Sequence, residues 1–313
     1  MSEHALVIGE ALVDVVVRTD GSVDAHPGGS PANVAIGLGR LGRDVELLAY
    51  LANDENGGLI REHLAASQVD LASGSLGAPA TSVATAHLDD AGAATYQFEL
   101  AWAVAADAAP APSPLVVHTG SIAAVLAPGA DSVRNIVAGL RDGATVTYDP
   151  NARPSLMGEP ADARVAIEQM VALADVVKVS DEDLTWLAGL GEAADVDAVA
   201  RAWLALGPAF VVVTRGGDGA TGFLPGGRSL HVAAPATEVA DTVGAGDSFM
   251  GGLIDGLWTA GLLGGDRRDA LRAIHDDTLT AILERCARIA AITVSRPGAN
   301  PPGSAELDLP PED

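Results

Sequence analysis

The chain has 313 residues, 48% of them apolar and 19% charged, which suits one large α/β domain with a smaller excursion and supplies ample material for a buried core. Its 18 basic and 42 acidic side chains leave a formal charge of −24, which excludes nucleic acid or an anionic membrane as a partner over most of the surface; a small anion can still bind where backbone amides and a few arginines converge. No uninterrupted apolar run is long enough to span a bilayer, the N-terminal stretch lacks a basic region followed by a cleavage site, and the single Cys286 has no partner for an internal disulfide, so the expectation is a soluble cytoplasmic protein.

Residues 5 to 17, ALVIGEALVDVVV, are rich in β-branched side chains and predict a buried strand that continues into a partly exposed one. GGSPANVAIGLGRLG (28 to 42) predicts a helix, with Ser30 as N-cap, Pro31 at the first helical position and Gly42 as the C-terminal stop. A strand over DVELLAYL and a helix over GGLIREHLAASQ follow. Between 81 and 100 the apolar period shifts towards two, with a turn at Asp89 to Gly92, which predicts a hairpin. Beyond the Pro-rich APAPSPL the buried strands LVVHTG, ATVTYDPN, DVVKVS and FVVVTRGGDGA alternate with helical patterns such as Asp162 to Leu173 and Asp197 to Leu206. This alternation predicts a parallel, doubly wound sheet, and SAELDLPPED reads as a solvated tail.

In such sheets ligands gather at the carboxyl ends of the strands. Those ends read Asp14, His118-Thr119-Gly120, Asp149-Pro150-Asn151-Ala152-Arg153, Ser180 to Asp183, and Thr214 to Gly217. The densest signal is DTVGAGDSFMGG, Asp241 to Gly252. After Gly246 the apolar residues Met250, Leu253, Ile254 and Leu257 fall at helical spacing, so VGAGD lies at a helix start. The first turn of a helix leaves amides without partners, and Gly244, Ala245 and Gly246 put little bulk in front of them, so a phosphate can approach. Asp247 stands in the same turn, where it can orient and deprotonate a hydroxyl beside that phosphate. Alcohol, phosphate and base together describe phosphoryl transfer. The chain's one lysine, Lys178, lies in DVVKVSDED and supports neither a Walker A loop nor the lysine of a protein kinase.

The string DTVGAGDSFMGG resembles the second signature of the ribokinase-like (PfkB) carbohydrate kinases, and PGGSPANVAIGLGRLG their first. The resemblance runs over nearly the whole chain. It implies a three-layer α/β/α core with a small β-sheet lid, ATP with Mg²⁺ as phosphoryl donor, and a sugar-like alcohol as acceptor. Residues 1–10, 28–78 and 105–313 would form the core, and 11–27 and 79–104 the lid. It also implies Asp247 as catalytic base, Gly244, Ala245 and Gly246 as anion hole, and Asp14, Gly28, Gly29 and Asn33 as the acceptor contacts. TRGGDG resembles the family's nucleotide loop, placing Thr214, Gly216 and Gly219 near ATP. Ser180 and Asp183 stand where the family has Asn-x-x-Glu, a departure that leaves a shorter carboxylate to act through water. Asp241, with carbonyls around Val243, Thr293, Arg296 and Gly298, matches a monovalent-cation loop that would take K⁺. Pro302 replaces a hydroxyl residue often found there, which puts potassium activation in question. GEALVD, DPNARPSL and TVSRPGANPP are most similar to fructokinases, with Arg153 between sugar and γ-phosphate. Other acceptors in the same fold (2-keto-3-deoxygluconate, ribose, a nucleoside) and a non-catalytic sugar-sensing protein are the alternatives. A homodimer through the lid is the expected assembly if the chain pairs at all.

Several features have plainer readings. GLGRLG matches GxGxxG, but its glycines follow the helix start and suit helix packing. His118 suits a structural strand end and Cys286 a packed helix position, and no spacing of histidines and cysteine suits zinc. Tyr96 and Trp102 either cover the sugar or form the lid's own core.

Overall fold

The computed structural model describes residues 3–89, 94–105, 113–189 and 195–307. In chain order its elements are β1 (Ala5–Ile8), β2 (Leu12–Val17), β3 (Val23–Gly28), α1 (Ser30–Arg40), β4 (Val45–Leu48), α2 (Glu55–Ala66), β5 (Val69–Leu71), β6 (Val83–Leu88) and β7 (Ala94–Glu99). Then come β8 (Val116–Gly120), α3 (Gly129–Leu140), β9 (Thr145–Asp149), α4 (Pro154–Met157), α5 (Pro160–Leu173), β10 (Val176–Ser180), α6 (Asp181–Ala188) and α7 (Val196–Leu204). The last are β11 (Phe210–Thr214), β12 (Ala220–Phe223), β13 (Ser229–Val232), α8 (Ala245–Thr259), α9 (Arg268–Arg272), α10 (Asp276–Val294) and α11 (Ser304–Leu307).

The main sheet runs β13-β12-β11-β10-β9-β8-β1-β4-β5. Its seven strands from β5 to β11 are parallel, and β12 and β13 join through antiparallel pairings. Because strand side chains alternate, one run feeds two cores. Ala5, Val7, Val45, Leu47, Phe210 and Val212 pack with α1, α2, α8 and α10 on one face. Leu6, Ile8, Leu48, Val211 and Val213 pack with α3, α5, α6 and α7 on the other. These are the three layers expected, and they explain why the parallel strands read as unbroken apolar runs.

The run from residue 5 to 17 divides between two sheets. β1 lies in the main sheet, while β2 joins a second, four-stranded sheet ordered β3-β2-β6-β7. Within it only β2 and β6 are parallel to each other. Asp14 therefore belongs to the small sheet, not to a carboxyl end of the main one. The break at residues 9 to 11 has a steric cause: a methyl group on Gly9 would stand 2.2 Å from the Pro31 ring, so α1 presses directly on the end of β1.

Three local expectations change. The N-cap of α1 is Gly29, not Ser30, which is the first helical residue. Gly29 has φ 107, and an added methyl group would meet the Glu10 carbonyl at 2.4 Å, so no side-chain cap fits. The tail is not wholly solvated: Ser304–Leu307 forms a short helix and Leu307 is buried. The hairpin strands are β6 and β7, but residues 90–92 of its expected turn lie outside the described residues, as do 308–313 of the tail. Gly42, at φ 85, does end α1.

Candidate active site

The main sheet changes direction of growth at β1, whose neighbours are β4 on one side and β8 on the other. A crevice opens at such a switch point, outside the carboxyl ends of the strands. Here it is a cavity of about 980 Å³. The ends of β1, β8, β9, β10 and β11 supply its floor through Glu10, Ser121, Asn151, Lys178 and Thr214. Leu12, Asp14, Ala84 and Phe98 of the small sheet form one wall, and the start of α8 another.

α8 begins at Ala245 after Gly244, whose φ of 76 is left-handed and whose added methyl group would stand 2.5 Å from Ala299 Cβ. Only glycine meets both conditions. The Ala245 amide donates to the Thr242 carbonyl over 3.3 Å and the Ser248 amide to Gly244 over 2.8 Å. Among the described residues, the Gly246 and Asp247 amides between them have no acceptor, so two donors at a helix start remain for an anion.

Asp247 is buried, and both its oxygens are held from α1. Ser30 Oγ donates to Oδ1 at 2.7 Å, and Asn33 Nδ2 to Oδ2 at 2.8 Å. The spacing of Ser30 and Asn33 puts them on one face of α1, one turn apart. α1 crosses α8 closely enough for a methyl group on Gly251 to stand 3.5 Å from the Val34 carbonyl, which brings that face to the carboxylate. Asn33, expected as an acceptor contact, thus orients the base in this structure while also lining the cavity.

Asp14 opens into the cavity, and Gly28 stands aside for it: a methyl group there would lie 2.1 Å from Asp14 Oδ2. Burial in the crevice raises the Asp14 carboxyl above its usual range, with Arg153 and His26 pulling it back. Arg153 curls over its own loop, its Nη1 donating to Asn151 Oδ1 at 2.8 Å and to the Ala152 carbonyl at 3.0 Å. Asn151 sits at φ 36, an uncommon backbone for a residue other than glycine, and its buried Nδ2 has no partner among the described residues. Ser180 caps α6 by accepting from the Asp183 amide at 3.0 Å, and Asp183 accepts from the Ala152 amide at 3.0 Å. This ties β10 to the Arg153 loop. Burial also raises Asp183, with Lys178 opposing.

Thr214, Gly216 and Gly219 line the far end with Val239, Val243, Ala287, Ala290 and Val294. Val239 and Val243 are exposed apolar side chains, which suit the flat face of a base. Of the expected cation loop, Val243 alone lines the cavity. Asp241 accepts from the Val243 amide at 3.0 Å and the Gly298 amide at 2.8 Å, binding the two loops to each other. Thr293 is buried and donates within α10, and Arg296 pairs with Glu306.

Glu10, Ser30, Ser121, Lys178 and Phe98 were not legible as site residues, and Asn151 was legible only as part of a strand end. Glu10 lies inside an apolar run, and its Oε2 is buried without a partner among the described residues. Burial pushes its carboxyl up to about 7, with Ser121, its own backbone and Arg153 pulling it down and Asp247 adding to the rise. The other features behave as their plainer readings expect. His118 is buried against Thr147 Oγ1 and pushed down to about 3 by burial and then Lys178, which keeps it neutral. Burial raises the Cys286 thiol, so it is unreactive. A methyl group on Gly39 would stand 2.1 Å from the Ser67 carbonyl, so that glycine serves helix packing. Trp102 donates to the Ala123 carbonyl at 3.1 Å within the main core, away from the cavity wall that the small sheet forms. Tyr96 is exposed and stacks on Phe98.

Against known proteins, the pfkB family carbohydrate kinase model matches residues 2–306. A fructokinase from Klebsiella pneumoniae is 33% identical over 297 residues, covering 93% of this chain and 94% of its own. The crystal structure of a fructokinase from Xylella fastidiosa with bound ATP superposes with a TM-score of 0.85 at 25% identity, covering 98% of this chain and 97% of that one. A fructokinase double mutant from Vibrio cholerae O395, bound to fructose, ADP and potassium ion, superposes with a TM-score of 0.82 at 27% identity over 98% and 97%. The extent of the family match, and a helix start that joins free amides to a held carboxylate in a crevice of nucleotide size, lead to one conclusion: the chain belongs to the pfkB family of carbohydrate kinases.

Proposed function

We propose that this protein is a fructokinase, transferring the γ-phosphoryl group of ATP to a hydroxyl of fructose. The observation that carries the reading is Asp247, held by Ser30 and Asn33 one residue beyond the free amide of Gly246, in a cavity that the small sheet walls on its acceptor side. Asp247 takes the proton of the acceptor hydroxyl as its oxygen bonds to the γ-phosphorus. The bond from that phosphorus to the β-γ bridging oxygen breaks, and its electron pair leaves with ADP. Amides at the α8 start, with Gly244 and Ala245 shaping the turn, neutralise charge on the moving group. Arg153 would bridge sugar and phosphate once released from its own loop, since a planar guanidinium suits two oxygens at once.

Asp14, Gly28, Gly29 and Asn33 form the acceptor side in this reading, and Ser180, Asp183, Thr214, Gly216 and Gly219 the nucleotide side. Mg²⁺ would come with ATP and offset charge on its phosphates; Asp183 and Ser180, which line the cavity, would hold its water shell. Asp241 with the carbonyls around Val243, Thr293, Arg296 and Gly298 would hold a monovalent cation such as K⁺ in this reading, which the link of Asp241 to the Val243 and Gly298 amides supports. The open strands β3 and β7 of the small sheet are where a homodimer would form.

A coupled ADP-release assay over fructose, ribose, 2-keto-3-deoxygluconate and nucleosides tests the reading. Fructose should give the highest kcat/KM; turnover confined to another acceptor would replace it, and sugar binding without ADP release would make the protein a sensor.

A further inference from the structure

The floor of the crevice carries two polar atoms that the folded chain leaves unanswered. Glu10, just beyond the end of β1, is 7% exposed and lines the cavity, and its Oε2 has no partner among the described residues. Asn151, just beyond the end of β9, lines the same cavity, and its buried Nδ2 is likewise unpaired among them. Ser121, which follows β8 between those two strands, lines it too. A buried polar atom without a hydrogen bond costs free energy that a ligand recovers by supplying the missing partner. Position along the sheet says which ligand. Adjacent strands stand about 4.8 Å apart and four steps separate β1 from β11, so Glu10 is ~19 Å from the strand that carries Thr214 and the loop of Gly216 and Gly219. Leu12 and Asp14, which wall the cavity from the small sheet, follow Glu10 directly in the chain. Chemistry points the same way. Phosphate oxygens accept and carry the charge of a carboxylate, whereas an alcohol both donates and accepts and so answers Glu10 and Asn151 alike. Burial holds the Glu10 carboxyl at about 7, opposed first by Ser121, so near neutrality it too can donate or accept.

We propose that Glu10 is a specificity-determining residue, its Oε2 pairing with an acceptor hydroxyl other than the one Asp247 deprotonates. Asp247 meets the reacting hydroxyl from α8 and Glu10 fixes a second one from the sheet, so the acceptor is held at two points and its reacting oxygen is aimed. An acceptor without the second hydroxyl leaves the buried carboxyl unpaired. A site built to hydrogen-bond a hydroxyl rejects the analogue lacking it far more strongly than an apolar pocket rejects a missing methylene. The inference rests on the kinase reading above and deepens it by naming a group that chooses the acceptor.

The test measures, by calorimetry, the affinities of the wild type, E10M and E10Q for fructose and a set of monodeoxy fructoses. In the wild type, loss of one particular hydroxyl should weaken binding about ten- to a hundredfold, because the carboxyl is left orphaned again. E10M fills the same space without a polar atom. It should bind fructose and that one analogue within about threefold of each other while keeping the wild-type ratios for the rest. E10Q, whose amide also donates and accepts, should restore the discrimination to within about threefold of the wild type. E10M weakened equally towards every sugar, with all ratios unchanged, would show that Glu10 only shapes the floor. A wild type that binds every monodeoxy fructose as well as fructose overturns the proposal without any variant. Fructose binding with no ADP released would overturn the kinase reading and leave the comparison of affinities to decide Glu10; if fructose does not bind, the same series on deoxy forms of the acceptor that turns over decides it.

Discussion

Asp247 accepts hydrogen bonds on both oxygens from a helix more than two hundred residues earlier in the chain, so its direction is set before any ligand arrives. Such preorganisation lets a base act without rearranging at the moment of transfer. D247N keeps the size and both neighbours but cannot take the proton. Sugar affinity by calorimetry should stay within about tenfold while kcat falls ~10²–10⁴-fold, and an equal loss of both would remove Asp247 from the proton transfer. Glu10 carries a different lesson. Its carboxyl is raised from 4.5 to about 7, mainly by burial, so the folded state prefers it protonated. That preference contributes its full stability below pH 4.5 and is lost as pH rises through about 7. E10Q mimics the protonated form at every pH. By thermal melting it should exceed the wild type at pH 8, by up to about 3 kcal/mol, and match it near pH 4. A difference that does not change with pH would mean that Glu10 is not strained by its charge.

The next level is the crossing of α1 over α8. Ser30 and Asn33 reach Asp247 across a contact in which position 251 has room for a methyl group and little more. An alanine there meets the Val34 carbonyl at an ordinary 3.5 Å, whereas a branched side chain must displace it. G251L is expected to cost ~1–3 kcal/mol by chemical denaturation and to lower turnover about ten- to a hundredfold, while G251A stays close to the wild type in both. Wild-type turnover in G251L would show that the crossing does not set the site. The small sheet is positioned by similar economy: Gly9 lets Pro31 press on the end of β1, and the chain leaves the main sheet there to wall the cavity.

For the molecule as a whole, the charge of −24 opposes a polyanionic nucleotide while the crevice attracts it. The opposing field is long-ranged and screened by salt; hydrogen bonds made inside the crevice act at contact and are not. The association rate of a fluorescent ATP analogue, followed by stopped flow, should therefore rise about two- to fivefold between 10 and 150 mM salt. A rate that falls with salt would show that local positive charge governs the approach. Either result bears on how an acidic protein collects an anionic substrate.

What could be read from the linear chain was whatever local chemistry repeats along it. The alternation of apolar runs and helical patterns defined a doubly wound sheet, and Gly244 to Asp247 announced an anion-binding helix start beside a carboxylate, because dihedral freedom, bulk and spacing are properties of neighbouring residues. Folding alone decided which distant groups would meet. Nothing in GGSPANV says that Ser30 would abandon the capping role for Asp247, and nothing in DVVKVSD says that Lys178 would lie under Gly246. Glu10 and Asp149 are ordinary carboxylates in sequence, and burial first, with Asp247 adding to it, raises them in the fold. Desolvation and contact depend on what the rest of the chain packs around a group, and that is a property of three dimensions.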